Sequence, residues 1–252
     1  TILNMFLNKP IKINAKELPH LQFIMTSSAP MLPENWRKFE EKYGIIISQS
    51  AGCSEGGLMC SHLGPNRKIG TIGFPLKYQT IRLLDKNGKE VSEGTPGQIV
   101  VSGPQKSWGY LHPDGRVEQL PLEHQTGDLG KIDEDGHLTV VGRLKDLIIR
   151  GGVNISPIEI DDILSQHPDI LDAAACGIPN KIYGEEVVCY VIPRETADLS
   201  TENVISHCRK FLAPFKTPKQ VIFVEKLPKN QRGKLDRKKL ASMWKRQNMA
   251  KN

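Results

Sequence analysis

Residues 125–160 read QTGDLGKIDEDGHLTVVGRLKDLIIRGGVNISPIEI, and the fold turns on this stretch. From Gly130 to Arg143 apolar and polar positions alternate on both sides of Glu134-Asp135-Gly136, which predicts an antiparallel hairpin turning there. Ser156-Pro157-Ile158-Glu159 sets a hydroxyl residue three positions ahead of a glutamate, with proline at the first helical position. That pattern predicts a capping box and a helix start. The helix is expected to run to about His167, stopped by Pro168, with Ile160, Ile163 and Leu164 on its buried face. A β-rich unit therefore ends near Gly142, and a different unit begins after it.

Outward from this junction, both directions stay regular. Toward the N-terminus, QTIRLLDKNGKEV (79–91) and GQIVVSG (97–103) are β-rich, and Asn87-Gly88 is a strong hairpin signal. Residues 70–143 therefore predict a small antiparallel sheet or barrel. Further back, PENWRKFEEKY (33–43) predicts a helix with Pro33 in its first turn, followed by a short strand at Ile45 to Ile47. Helix followed by strand is what an α/β layer produces. Toward the C-terminus, strands are expected at about 171–178 and 187–193, then a helix from Ser200 or Thr201 to Leu212. A strand in QVIFVE and a basic helix close the chain. The fold class is thus α/β plus β: an α/β segment over about 1–69 and a β-barrel over about 70–144 form one domain. A compact α+β domain follows over 145–252.

Composition narrows the partners. Hydrophobic residues at 38% and charged residues at 25% suit a globular chain with its own core. No apolar run is long enough to span a bilayer, and no basic-then-apolar leader is present, so a cytoplasmic location is expected. The five cysteines (Cys53, Cys60, Cys176, Cys189, Cys208) form no CxxC pair and read as free thiols. Charge is concentrated at one end. Residues 209–252 carry fourteen Lys or Arg against Glu225 and Asp236, within a chain of net charge +6. Such a segment suits a polyanion such as a phosphorylated small molecule, or is the solvated face of a terminal helix. No aromatic stacking pattern accompanies it, so nucleic acid is not the expected partner.

Four short segments carry chemistry: QSAGCSEGG (49–57), QTGDLG (125–130), GRLKDLIIRGG (142–152) and LPKNQRGKLDR (227–237). Asp128 in the TGD triplet is a carboxylate beside glycine, able to accept two hydrogen bonds from vicinal hydroxyls or simply to cap a turn. Glu55 follows a strand end, where a carboxylate can serve Mg²⁺. Gly151-Gly152 permits positive φ or close approach to a ligand, and a plain hairpin turn explains it equally well. Lys234 lies in a loop bearing proline and glycine among many other basic residues.

In their order and separations these segments resemble the adenylate-forming enzymes: acyl-CoA and aryl-CoA ligases, luciferase and peptide-synthetase adenylation domains. The resemblance runs from about Ser27 to Lys239. It implies that Asp128 holds the ribose of ATP with Arg143 beside it, that Glu55 serves Mg²⁺, and that Ser54 contacts phosphate. It gives Ser28, Ala29 and Pro30 to the adenine and acyl pocket, Lys145 to a hinge, Gly151 and Gly152 to the CoA passage, and Lys234 to the adenylation step. Relatives usually show Tyr-Gly-x-Thr-Glu where this chain has Ala51 and Ser54, so the aromatic ring against adenine is missing. The KDLIIRGG form resembles acyl-CoA and aryl-CoA ligases more than peptide-synthetase adenylation domains, which implies ATP, CoA and a carboxylic acid as substrates. Residues 1–48 lack the family's Ser/Thr/Gly-rich phosphate loop, so the resemblance implies a piece of a longer protein, inactive by itself. Another adenylate-forming activity, or a binding module without catalysis, is the alternative.

Overall fold

Two units separate along the chain, Thr1–Val141 and Gly142–Asn252. The computed structural model describes residues 2–9, 11–28, 31–62, 66–195, 197–231 and 233–249. The predicted Ala29 and Pro30 lie outside the described residues.

The first unit opens with α1 (Ile2–Asn8), β1 (Ile24–Thr26), α2 (Pro33–Tyr43), β2 (Ile47–Cys53), β3 (Gly57–Ser61) and β4 (Phe74–Pro75). Helix α2 starts at Pro33, whose missing N–H costs nothing there, and stops at Gly44 in the left-handed region. Its Trp36, Phe39 and Tyr43 are buried together with Leu3, Met31, Ile45 and Ile47. Each such side chain contributes about 1.5–3 kcal/mol by leaving water. Glu40 ties this helix to the sheet: it accepts from Trp36 Nε1 at 2.8 Å, from the Ile47 N–H at 2.7 Å, and from both terminal nitrogens of Arg67. The strand expected at 45–47 therefore begins at Ile47, pairs in parallel with Ile24 of β1, and continues through Gln49-Ser50-Ala51 to Cys53. Small and polar residues hid that extension, because their apolar signal is weak.

The remaining strands of this region are β5 (Thr80–Leu84), β6 (Gly97–Ser102), β7 (Gly109–Leu111), β8 (Val117–Gln119), β9 (His124–Ile132) and β10 (Leu138–Arg143). They form an antiparallel sheet in the order β10-β9-β6-β5, while β7 and β8 make a separate two-stranded ribbon. Met59, Cys60, Ile72, Leu83, Ile99, Val101 and Leu138 form a core shared between this sheet and the β2–β3 sheet. Asn87-Gly88 turns a small loop capped by Asp85 rather than joining β5 directly to β6.

The second unit contains β11 (Ile148–Arg150), β12 (Val153–Ile155), α3 (Pro157–Ser165), β13 (Ile170–Asn180), β14 (Gly184–Pro193), α4 (Thr201–Phe211), β15 (Gln220–Phe223) and α5 (Arg237–Met249). Strands β13 and β14 are buried on both faces, so alternate residues build two cores. Ala175, Val187, Cys189 and Val191 pack with α3 and α4, whereas Ala174, Cys176, Val188 and Tyr190 pack with Leu227 and Leu240 under α5. The Ser156–Glu159 capping box does not form: the Ser156 side chain makes no cap hydrogen bond, and Glu159 accepts from Lys216 Nζ at 2.6 and 2.8 Å. Helix α3 ends at Ser165, because the Gln166 and His167 N–H groups tighten onto carbonyls three residues back ahead of Pro168. A complete box does form one helix later, where Ser200 and Asn203 cap each other's backbone at the start of α4. Among the described residues no helix is long and apolar enough to cross a membrane.

Candidate active site

Asp128 is presented by a bulge rather than by a simple turn. On β6 only Ile99 separates Gln98 from Val100, but their partners on β9 are Leu129 and Gln125. Thr126, Gly127 and Asp128 therefore bow out of the ladder, with Gly127 at φ +73°. The loop is braced from within, since Thr126 Oγ1 donates to the Ile99 carbonyl at 2.9 Å and accepts from the Asp128 N–H at 3.1 Å. This explains why a Thr-Gly-Asp triplet is required: a hydroxyl to brace, a glycine to bend, a carboxylate to present.

The turn after β2 holds Ser54, Glu55 and Gly56, and it is clamped to residues 105–107. Ser107 Oγ donates to the Ser54 carbonyl at 2.6 Å, and the Ser107 N–H donates to the Glu55 carbonyl at 2.7 Å. A Cβ on Gly56 would stand 2.6 Å from a Val101 methyl, so the turn sits this close only as glycine. Tyr110 of β7 donates its hydroxyl to Glu55 Oε1 at 2.7 Å. This bond is the first cause holding the Glu55 carboxyl below its ordinary range, so it is ionised near neutrality. Burial raises the Cys53 thiol, and the charges of Glu55 and Asp128 raise it further. Tyr110, His124 and Cys53 were not among the residues expected from the sequence. Ser28 is exposed at φ +73°, the sole non-glycine with positive φ among the described residues.

A single ionised carboxylate at a strand end is a fitting donor for Mg²⁺, which keeps water and substrate phosphates as its other ligands. The thiol and imidazole beside Glu55 are poor ligands for so hard a cation, so Glu55 is the residue here that would hold it.

In the second unit the predicted residues are exposed or half-buried. Arg143 ends β10 and Lys145 is exposed in the one-turn helix that follows. Gly151 and Gly152 are the two central residues of the β11–β12 hairpin, at φ +58° and +81°, as a type I′ turn requires. Gly151 donates its N–H to the Tyr183 carbonyl, and the Arg150 guanidinium stacks 4.3 Å from the Tyr183 ring while pairing with Glu186. Lys234 is exposed on a tight loop braced by Asn230, whose N–H donates to the Lys234 carbonyl at 2.7 Å and whose Oδ1 accepts from the Lys234 N–H. Asp236, two residues on, caps α5 through the Lys239 N–H. Arg237, within the same basic motif, is turned inward and pairs with Asp161.

A bulge-borne aspartate, a clamped glutamate turn and, ahead of the closing helix α5, a braced lysine loop fit the adenylate-forming class. The family description AMP-binding enzyme matches residues 1–111, and AMP-binding enzyme C-terminal domain matches residues 159–234. The chain belongs to the AMP-binding enzyme family. It is similar to the probable CoA ligase CCL9 of Humulus lupulus, 39% identical over 246 residues, covering 95% of this chain and 46% of that protein. An oxalate–CoA ligase of Arabidopsis thaliana is 36% identical, with 96% and 48% covered. ATP-bound MatB from Rhodopseudomonas palustris superposes with a TM-score of 0.85 at 31% identity, over 96% of this chain and 50% of that one. The chain spans about half the length of the curated relatives it matches.

Proposed function

We propose that this chain is part of an AMP-forming acid–thiol ligase. Such an enzyme activates a carboxylic acid with ATP and passes the acyl group to CoA. A carboxylate oxygen attacks the α-phosphorus, the bond to the β-phosphate breaks, and pyrophosphate leaves. The CoA sulfur then attacks the acyl carbonyl, the bond to AMP breaks, and the thiol proton passes to solvent. The observation that carries this reading is the Thr126–Asp128 bulge, which spends a break in a sheet ladder on presenting one carboxylate.

In this reading Asp128 accepts from the ribose hydroxyls with Arg143 beside it, and Ser54 meets phosphate. Bound Mg²⁺, held by Glu55, supplies charge neutralisation for the phosphates. Ser28, Ala29 and Pro30 line the adenine and acyl pocket, and Ala51 leaves adenine without a ring from that position. Lys145 is the hinge between domains 1–144 and 145–252, Gly151 and Gly152 admit the CoA arm, and the basic C-terminal segment suits its phosphates. Lys234 supplies a positive charge opposite the negative charge that develops as the carboxylate attacks. The CoA-ligase relatives support a thiol acceptor over other fates of the adenylate.

The test is acid-dependent release of AMP and formation of thioester by an enzyme carrying this chain together with the rest of the family's length, screened over a panel of carboxylic acids. Asp128→Ala should raise the KM for ATP by tenfold or more, since one charge-assisted site for two hydroxyls is lost. An unchanged KM for ATP in that variant removes the ribose assignment, and no activity with any acid removes the ligase reading.

A further inference from the structure

Cys53, Glu55 and His124 offer one sulfur, one oxygen and one nitrogen atom, all within 4.8 Å of one another. They arrive from separate places. Cys53 ends β2, Glu55 lies in the turn after it, and His124 opens β9 opposite Val101 of β6. Gly56 lets the turn settle onto that same Val101, and so the strand register and one missing Cβ together assemble the cluster. All three residues are half-buried.

We propose that Cys53, Glu55 and His124 form a three-ligand site for a zinc-class divalent cation. The donor set decides the metal: thiolate and imidazole select zinc-like cations, whereas magnesium requires oxygen throughout. Metal–ligand bonds of about 2.0–2.3 Å put neighbouring donors of a tetrahedral site roughly 3.3–3.8 Å apart. Donors that already lie within 4.8 Å would close to that separation by side-chain rotation of Cys53 or His124 on metal binding. Supporting hydrogen bonds are already in place, as Tyr110 donates to Glu55 Oε1 at 2.7 Å and the Gly56 N–H donates to Cys53 Sγ at 3.2 Å. Three protein ligands leave a fourth position open to water or an anion. On binding, the thiol loses its proton to solvent and the sulfur–metal bond forms. The second cluster of similar make-up, Asp133, Asp135 and His137, differs because Lys68 Nζ already bridges its carboxylates at 2.8 and 3.0 Å.

The site itself is independent of the proposed activity. Its consequence rests on that reading: a zinc-class ion on Glu55 takes the carboxylate assigned to Mg²⁺, and so makes the enzyme sensitive to inhibition by such metals.

The experiment is titration of the reduced chain with Co²⁺, read by absorption and not by activity. One equivalent should produce a thiolate-to-cobalt charge-transfer band with the visible bands of a tetrahedral ion, and Zn²⁺ should bleach them while excess Mg²⁺ does not. Cys53→Ser should abolish the charge-transfer band, His124→Gln should weaken binding tenfold or more, and Asp135→Asn should leave it unchanged. A wild-type chain without the band, or a band that survives Cys53→Ser, overturns the proposal. A second measurement does not depend on any variant folding. Cys53 is half-buried while the other four thiols are buried, so alkylation of the native chain reads Cys53. Zn²⁺ should slow its alkylation at least tenfold, and unslowed alkylation under saturating Zn²⁺ overturns the site.

Discussion

Tyr110 donates to Glu55 across 55 positions of sequence, joining the β7–β8 ribbon to the turn after β2. The bond works in both directions: it holds the Glu55 carboxyl low and the Tyr110 hydroxyl high. Tyr110→Phe should therefore raise the Glu55 titration toward its ordinary value of 4.5. Because the folded carboxyl is depressed, its stabilising effect is present above that value and is lost as pH falls through the folded one. Carbon-detected NMR titration of Glu55 in the two proteins measures the shift, and identical curves would show that the hydroxyl does not hold the carboxylate.

Asp162 runs the other way. Burial, aided by the neighbouring charge of Asp161, pushes its carboxyl up to about 6. A raised acid stabilises the fold below its unfolded value and loses that contribution as pH rises through the folded one, so the ionised form is a burden at neutrality. Asp162→Asn should stabilise the second unit at pH 7 by about 1–2 kcal/mol, and much less at pH 4. Urea denaturation at the two pH values checks it. Equal effects at both would place the cause elsewhere.

Asp161 and Arg237 form a buried pair, with side chains 11% and 14% exposed. The Ala175 N–H donates to Asp161, and Arg237 donates to the Ala175 carbonyl, so both charges are tied to β13. Arg237→Met should cost about 3–5 kcal/mol, since a buried carboxylate is left without its partner. The double variant Asp161→Asn with Arg237→Met should recover part of that loss. Thermal and urea unfolding would decide, and additive costs would mean the two residues do not act as a pair.

Lys234 should separate the two half-reactions in a complete enzyme built with this chain. Lys234→Ala is expected to lose about a hundredfold or more in adenylate formation, the scale of removing one preorganised charge. Supplied with ready-made acyl-adenylate and CoA, the same variant should form thioester at close to the parental rate. Single-turnover assays distinguish these outcomes, and equal damage to both steps would make Lys234 structural.

Elements governed by neighbours in sequence were legible in advance. Pro33 starts α2, a helix opening at Ser200 or Thr201 was expected where α4 stands, and continuous apolar runs mark β13 and β14. The hairpin turn at Gly151-Gly152 was one of two readings that the glycine pair left open, and the structure shows that turn. The candidate site was legible as a set of motifs but not as an arrangement. That the Thr126–Asp128 segment is a bulge depends on its partner strand, since only β6 supplies the residue count that leaves two extra on β9.

Where two distant groups compete for one partner, sequence spacing cannot name the winner. Ser156 and Glu159 have the spacing of a capping box, yet Lys216, 57 positions away, takes the glutamate because a full charge binds it more strongly than a backbone N–H. Arg237 sits in a basic run that reads as solvated, and Asp161, 76 positions away, draws it inward. The sequence by itself determined α2 to α5 and the positions of the main strands, whose energetics are local. Only the tertiary structure decided that Tyr110, Cys53 and His124 surround Glu55, because side-chain pairing across a core depends on which strands meet and in what register.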